Sequence, residues 1–122
     1  MTDLPTLVRL LEEAEEGSEE LDVAVTKFLH NYGPDQPLWY TLEWTRNLQH
    51  ALSLVPEEWS YICMERYSDG WYVRLKRMSA DHEHVVANQK PAALALCIAA
   101  LRAREQTATE TRDQHIEERQ QD

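Results

Sequence analysis

The sequence is poor in glycine and cysteine. Its three glycines are scattered through 122 residues, and a loop that wraps phosphate groups needs several glycines close together. We therefore expect neither a P-loop nor a dinucleotide-binding loop of the usual kind. The two cysteines, Cys63 and Cys97, are too few for the disulfide framework of a small secreted domain, so we expect two buried, reduced thiols.

Long apolar stretches are also missing. The longest apolar run, residues 92–101, is ten residues long, about half the length that a transmembrane helix needs. The first residues contain no basic segment followed by an apolar run, so we expect no secretory signal. Together these features predict a soluble, cytoplasmic protein that does not insert into membranes.

Basic residues are in deficit, with 12 lysines and arginines against 22 acids and a net charge of −10. The deficit lies at the two ends. Residues 1–22 hold eight acids and one base, residues 106–122 hold five acids and two bases, and the body between them has nine of each. Such a chain would be repelled by nucleic acid, so we expect a protein partner with a basic surface. The sequence also leaves homo-oligomerisation open.

The most apolar segment, residues 91–104, predicts a helix in the interior of the fold. It is rich in alanine, contains no glycine, and has Ile98 as its only β-branched residue, all of which favour helix. Pro91 suits the first turn, where a missing N–H costs nothing. Apolar side chains cover nearly the whole circumference, which is typical of a helix in a core rather than on a surface.

Three shorter helices are predicted before it. In the third helix we expect Leu48 and Leu52 to point inward with Ala51. The signals for their ends are Asp3 and Gly17 for the first, Ser18 and Gly33 for the second, and Asn47 and Pro56 for the third.

Between the third helix and the long helix, alternating apolar residues predict strands at residues 59–66 and 71–78, with a third at about 83–87. Asp69-Gly70 predicts a two-residue hairpin loop, because a type I′ turn needs positive φ at both positions. In that register Glu65 pairs with Arg74. One face then carries Ile62, Met64, Trp71, Val73 and Leu75.

The predicted fold class is α+β. A small three-stranded antiparallel meander with a central Asp-Gly hairpin packs with a long buried C-terminal helix and three shorter N-terminal helices. We expect one domain over residues 1–105. Residues 106–122 form a polar acidic tail, either a helical extension or a disordered segment.

Three segments resemble a group of small, uncharacterised phage and prophage proteins. Residues 17–22, GSEELD, resemble the group's GxxxELD pattern with one residue fewer after the glycine, and residues 93–103 match its PALALCxAALRA pattern. Its YTxSLDAALxLVPEGW pattern is matched at Thr45, Leu48, Ala51, Leu52, Leu54, Val55, Pro56, Glu57 and Trp59. The resemblance covers residues 4–105, about the whole chain without its tail.

The group looks related to a phage domain described as an α/β/α sandwich, which implies helices on both faces of the sheet. The chain has Trp44, Gln49, His50 and Glu58 where the group usually has Tyr, Asp, Ala and Gly. Because the matching positions are mostly apolar, capping or turn residues, the resemblance implies a shared fold and no activity. It also implies a phage origin and the cytoplasm of a bacterial host cell as the location.

No combination of residues predicts catalysis, so we expect no enzyme and no cofactor. Ser-His-Asp and Cys-His patterns are missing. His82 and His84 form an H-x-H pair, which alternation would put on one face of a strand. Two imidazoles are fewer than the three protein ligands of a catalytic zinc site. Surface histidines are therefore preferred to a metal site.

Acidic residues around the first two helices are the leading candidates for partner contact. Carboxylates at the C-terminal end of a helix oppose its dipole, so those at the end of the first helix do not stabilise it. Aromatic residues are enriched at binding hot spots, although tryptophans in a small domain usually fill its core. The candidates are Glu12, Glu13, Glu15, Glu16, Glu19, Glu20, Trp39 and Trp44.

We therefore expect a phage-derived, non-enzymatic interaction protein. It would be an acidic binder or inhibitor of a host protein concerned with defence or with nucleic-acid handling. The alternative is a domain that binds or sequesters a small ligand or nucleotide. It would use a basic and aromatic face of the hairpin, formed by Tyr61, Tyr72, Arg74 and Lys76.

Overall fold

A computed structural model describes residues 3–30, 32, 41–59, 61–77 and 84–120. The predicted α+β class, with an antiparallel sheet and a C-terminal helix, is confirmed. Helix α4 runs without interruption past residue 105, where we expected the domain to end. The elements are α1 (Leu4–Glu13), α2 (Glu19–Leu29), α3 (Leu48–Leu52), β1 (Tyr61–Tyr67), β2 (Gly70–Lys76), β3 (His84–Lys90) and α4 (Ala92–Gln120).

The N-terminal ends of the first three helices lie where the capping residues predict. Asp3 Oδ1 accepts from Thr6 N at 2.9 Å, and hydrogen bonds from the Thr6 side chain and backbone lower the pKa of Asp3. Ser18 Oγ accepts from Leu21 N at 3.2 Å. Asn47 Oδ1 accepts from the His50 N–H. Each bond satisfies a backbone donor that the helix itself leaves without a partner.

The C-terminal ends differ from the prediction, since each of these helices is shorter. Helix α1 ends at Glu13 with Ala14 as its C-cap, before the predicted stop at Gly17. Helix α3 has only five residues. Leu48 and Leu52 at its two ends are each 45% exposed, while Ala51 and Leu54 are buried. The prediction that Leu48 and Leu52 point inward is therefore wrong.

The sheet has the strand order β1-β2-β3, and all its pairs are antiparallel. Tyr67 pairs with Gly70, so Ser68 and Asp69 form the hairpin loop and the predicted register is wrong by two residues. Gly70 has a φ of 138°, which L side chains rarely adopt, and it begins β2 instead of lying inside the loop. A shift of two residues keeps every side chain on its own face, which is why the predicted inner face is unaffected.

Strand β3 is longer than the predicted segment 83–87 and ends at Lys90. Its pairing with β2 is irregular between Trp71 and Val73, as expected of a β-bulge. The extra residues bring β3 directly to the start of α4, because Pro91 alone separates the two elements.

Helix α4 forms the middle layer of the fold. It contacts β2 and β3 on one side and α1 and α3 on the other, and α2 packs on α1. Every residue from Ala93 to Leu101 is at most 8% exposed, as expected of a helix that is apolar on all sides. Within the described part of the chain, the backbones of α1, α2 and α3 do not come close to the sheet. The layers are therefore sheet, α4 and N-terminal helices, and they differ from the α/β/α sandwich that the resemblance implies.

Candidate interaction surface

Six carboxylates lie around the connection between α1 and α2, and we call them the acidic junction. Among described residues, one of the six forms a salt bridge: Glu12 Oε1 accepts from Arg102 Nη2 of α4 at 2.5 Å. The other five are exposed and form no ion pair with any described residue. The acidic junction consists of Glu12, Glu13, Glu15, Glu16, Glu19 and Glu20.

The C-terminal end of α1 is held by a lysine from the sheet. Lys90 Nζ donates to the Ala14 carbonyl at 2.7 Å, across 76 residues of sequence. A cation at this end of a helix satisfies a free carbonyl and interacts favourably with the helix dipole. It also offsets the carboxylates that follow α1. The acidic junction is therefore anchored to the body of the protein at its first half.

A buried carboxylate anchors the second half. Asp22 is 0% exposed, and its Oδ1 accepts from the Thr45 backbone N–H at 2.7 Å and from the Thr45 hydroxyl at 2.6 Å. The Thr45 hydroxyl oxygen in turn accepts from the Ser18 N–H at 3.0 Å. A carboxylate removed from water in this way is stable only when its oxygens are satisfied. We call Ser18, Asp22, Thr45 and Arg46 the Asp22 node.

Arg46 completes this node at its solvent side. Its Nε donates to Asp22 Oδ2 at 2.8 Å, and its side chain is 41% exposed. The hydrogen bond to Asp22 raises the pKa of the Arg46 guanidinium. The guanidinium of Arg46 offsets the negative charge of Asp22, so Asp22 does not add to the charge of the acidic junction.

Gly17 has a role here that its sequence position did not reveal. A Cβ at this residue would lie 2.0 Å from the Thr45 carbonyl oxygen, well inside van der Waals contact. The chain before α2 therefore passes directly against the 41–46 segment, at a distance that only glycine permits. This contact and the Asp22 node fix the geometry of the acidic junction.

Trp44 is a core residue rather than an exposed anchor. It is 8% exposed, and its indole N–H donates to Thr26 Oγ1 at 2.8 Å. The hydroxyls of Thr26 and Thr41 lie 2.6 Å apart. Trp44 therefore joins the 41–46 segment to α2 from within, and its place as a partner contact is withdrawn. Trp39, the other aromatic candidate, lies outside the described residues.

The candidate ligand residues of the hairpin lie on one face of the sheet, which we call the outer face. The pairs Tyr61–Lys76 and Cys63–Arg74 place their side chains there, as does Glu65–Tyr72. Tyr61 is 47% exposed, whereas Tyr72, Arg74 and Lys76 are partly buried. Cys63 is only partly buried, contrary to the prediction, whereas Cys97 is fully buried.

Glu65 forms a hydrogen bond with Tyr67 on the outer face. Its Oε2 accepts from the Tyr67 hydroxyl at 2.7 Å, and this hydrogen bond raises the pKa of Tyr67. The Tyr67 ring meets Tyr72 edge to face at 6.2 Å. The predicted Glu65–Arg74 pair is wrong, because the observed register places Tyr72 opposite Glu65.

Arg77, the cation that follows β2, does not belong to the outer face. It is 8% exposed, and its guanidinium carbon lies 4.7 Å from the centre of the Trp59 ring. The Trp59 indole N–H donates to Thr107 Oγ1 of α4 at 3.2 Å. These contacts describe a packed cation–π site that joins the end of β2 to α4.

The histidine pair cannot be examined as a unit, because His82 lies outside the described residues. His84 begins β3 and pairs with Lys76 through the backbone. The part of the chain that the structure describes contains no group of three or more His, Cys, Asp or Glu residues arranged to hold a metal ion. Nor does that part include a helix that is long and apolar enough to cross a bilayer.

Comparisons with protein-family models, curated proteins and solved structures found no match for this chain.

Sequence reasoning missed the Asp22 node. It assigned Ser18 to capping, and no local pattern points from Asp22 to Thr45, which lies 23 residues later in the chain. Residues 17–22 and Thr45 did stand out as matches to the phage group. In the structure three residues of that segment, Gly17, Ser18 and Asp22, contact Thr45.

Proposed function

We propose that this protein is a non-enzymatic interaction protein that binds a basic surface on another protein through the acidic junction. The observation that carries the proposal is the position of its carboxylates. Five of them are exposed within eight residues of sequence, from Glu13 to Glu20, without an ion pair to any described residue. A fixed cluster of one charge increases the rate at which an oppositely charged partner is captured.

The anchoring of the junction supports this proposal. Lys90 holds the end of α1 and the Asp22 node holds the start of α2. Residues that are already ordered lose less conformational entropy when they bind. By the resemblance to phage proteins, the partner would be a host protein concerned with defence or nucleic-acid handling. The interaction would take place in the cytoplasm of a bacterial host.

The test uses a variant with glutamine in place of Glu13, Glu15, Glu16, Glu19 and Glu20. Wild-type protein is first used to capture a partner from host-cell extract, and that partner is purified. Association rates are then measured by stopped flow at several salt concentrations. We expect the variant to associate at least about tenfold more slowly at low salt, with a weaker salt dependence.

The matched control replaces Glu57 and Glu58, which are exposed acids after α3, by glutamine. It removes charge from a different surface, so its association rate should stay close to that of wild type. Equal rates for wild type and the five-residue variant would contradict the proposal. The acidic junction would then be a solvated surface only.

The outer face favours a second candidate function, the binding of a small anionic ligand such as a nucleotide. Tyr61 and Tyr72 offer rings for stacking, and Arg74 and Lys76 offer cations on the same face of the sheet. A thermal-shift screen with nucleoside mono-, di- and triphosphates tests this function. Stabilisation that disappears when Arg74 and Lys76 are replaced by glutamine would support it. No shift with any nucleotide at millimolar concentration would contradict it for this ligand class.

A further inference from the structure

Strand β1 is the open edge of the sheet. It pairs with β2 on one side, and no described element pairs with it or covers it on the other. The opposite edge strand, β3, pairs irregularly with β2 and contacts α4, whereas β1 pairs regularly and has no close backbone contact with α4. Bulges and covering helices are two ways in which proteins protect a sheet edge from further pairing. Among described residues, β1 has neither protection.

The register tells which backbone groups face this edge. In a two-residue hairpin, the residues that flank the loop form a hydrogen-bonded pair, and the two kinds of pair alternate from there. Counting back from Tyr67–Gly70, Cys63 falls in a hydrogen-bonded pair with Arg74. Ile62 and Met64 fall in the other kind of pair, so their N–H and C=O groups are directed away from β2. These groups are available to another strand.

The side chains of the same two residues leave apolar surface at the edge. Ile62 and Met64 belong to the inner face and pack against the core, yet both are only partly buried. In the described part of the chain, no helix brings its backbone close to β1. The inner layer is therefore incomplete beside β1, where an apolar neighbour would cover it.

We propose that the protein forms a symmetric dimer in which β1 pairs antiparallel with β1 of a second copy, around a two-fold axis at Cys63. The two three-stranded sheets then become one continuous six-stranded sheet. In this register Ile62 of each copy lies opposite Met64 of the other, on the inner face. Tyr61 of each copy lies opposite Glu65 of the other, on the outer face.

Side-chain complementarity favours this register. It also favours a second copy of the chain as the partner of β1. Apolar residues meet on the inner face, and a phenol that can donate meets a carboxylate that can accept on the outer face. An axis at Glu65 would instead bring two carboxylates together, which is unfavourable. An axis at Met64 would place Ile62 opposite Arg66 of the other copy. Of these three registers, only the one centred on Cys63 pairs complementary side chains on both faces, so β1 fits a copy of its own chain.

The proposed two-fold axis leads to a prediction about the chemistry of Cys63. The two Cys63 residues would form a non-hydrogen-bonded pair, in which α-carbons lie about 4.5 Å apart. That separation lies within the range of about 4.4–6.8 Å that a disulfide spans. Cys97 is 0% exposed and cannot compete as an accessible thiol. Mild oxidation should therefore link two chains through Cys63.

The first experiment measures mass and cross-linking on the full chain. Under reducing conditions, sedimentation equilibrium should give about twice the 14.3 kDa of one chain. Treatment with diamide at micromolar protein concentration should convert most of the protein into a disulfide-linked dimer on a non-reducing gel. The linked dimer should be lost in Cys63→Ser and kept in Cys97→Ala.

The second experiment places a lysine at the proposed contact. Met64→Lys introduces a charge at the edge of the inner face, where its flexible side chain can reach solvent from a folded monomer. We expect a mass halved relative to wild type, with an unchanged circular dichroism spectrum. The matched control is Leu10→Lys, on the exposed surface of α1 and 45% exposed in wild type, which should remain dimeric.

Three outcomes would overturn the proposal. The first is a wild-type protein that is monomeric at about 100 μM. The second is a dimer that oxidation does not link through Cys63. The third is a Met64→Lys variant that folds and still dimerises. If Met64→Lys does not fold, cross-linking of the wild type decides alone. All these measurements are independent of the acidic junction, so they neither support nor contradict its proposed role.

Discussion

The hydroxyl of Thr45 donates a 2.6 Å hydrogen bond to a carboxylate oxygen of Asp22, which lies 23 residues earlier in the chain. The backbone N–H of Thr45 donates to the same oxygen. Two donors from one residue thus hold a fully buried carboxylate of α2. The 41–46 segment and the start of α2 are fixed to each other by this contact.

Replacing Asp22 by Asn tests the contribution of this node. The amide keeps one accepting oxygen, but its NH₂ group must face a donor, either Arg46 Nε or Thr45. We expect the free energy of unfolding to fall by about 1–3 kcal/mol in chemical denaturation, because a buried polar group loses its partner. Glu20→Gln, an exposed change in the same helix, should stay within about 0.5 kcal/mol of wild type. Equal effects of the two substitutions would show that the node is not important for stability.

Gly17→Ala should be destabilising for a steric reason. The added Cβ would lie 2.0 Å from the Thr45 carbonyl oxygen, so the two segments must move apart and weaken the Asp22 node. We expect a loss of about 1–3 kcal/mol or more, as in other overpacked sites. Glu16→Ala changes the neighbouring exposed residue and serves as the control. A Gly17→Ala variant as stable as Glu16→Ala would mean that the close approach is not present in solution.

We predict that α4 contributes to the stability of the fold only as far as Thr107. From the sequence we expected the domain to end at residue 105 and a polar tail to start at residue 106. Thr107 Oγ1, however, accepts from the Trp59 indole N–H. We therefore expect a chain ending at Thr107 to keep the wild-type melting temperature, and a chain ending at Glu105 to melt several degrees lower.

Thr107→Val in the full-length chain separates the hydrogen bond from the loss of helix length. It should reproduce most of the difference between the two truncated chains. If both truncated chains melt together at the wild-type temperature, Thr107 has no measurable role. If both melt well below it, residues after Thr107 contribute to the fold.

The buried thiol of Cys97 predicts a pH dependence. Burial raises its pKa from 9.0 to about 12. Above pH 9 the unfolded chain releases this proton while the folded chain keeps it, so the unfolded state is favoured as pH rises. The stabilisation is complete below pH 9 and decreases by about 1.4 kcal/mol for each pH unit above it.

Cys97→Ala removes this titration and leaves the other groups in place. Between pH 8.5 and 10.5, wild type should therefore lose about 2 kcal/mol more than Cys97→Ala, measured by urea denaturation at each pH. The absolute stability of the variant does not enter the comparison. Parallel pH profiles for the two proteins would contradict the prediction. They would indicate that Cys97 is accessible to water.

The local features of this fold follow from the sequence. Asp3, Ser18 and Asn47 cap helices where their side chains predict, because capping involves residues only three positions apart. The alternation in β1 and β2 assigns their inner and outer faces for the same reason. The alanine-rich composition of residues 91–104 indicates a helix that is buried on all sides, and α4 is the central layer.

What only the tertiary structure decides are the relations between distant residues. Face patterns cannot distinguish hairpin registers that differ by two residues, so the pairing of Glu65 with Tyr72 had to be observed. The position of the helices on one face of the sheet depends on how α4 divides its apolar surface between two neighbours. The Asp22 node also belongs here. A buried carboxylate needs donors, and no local pattern in the sequence reveals that they come from Thr45 and Arg46, because packing brings these residues together.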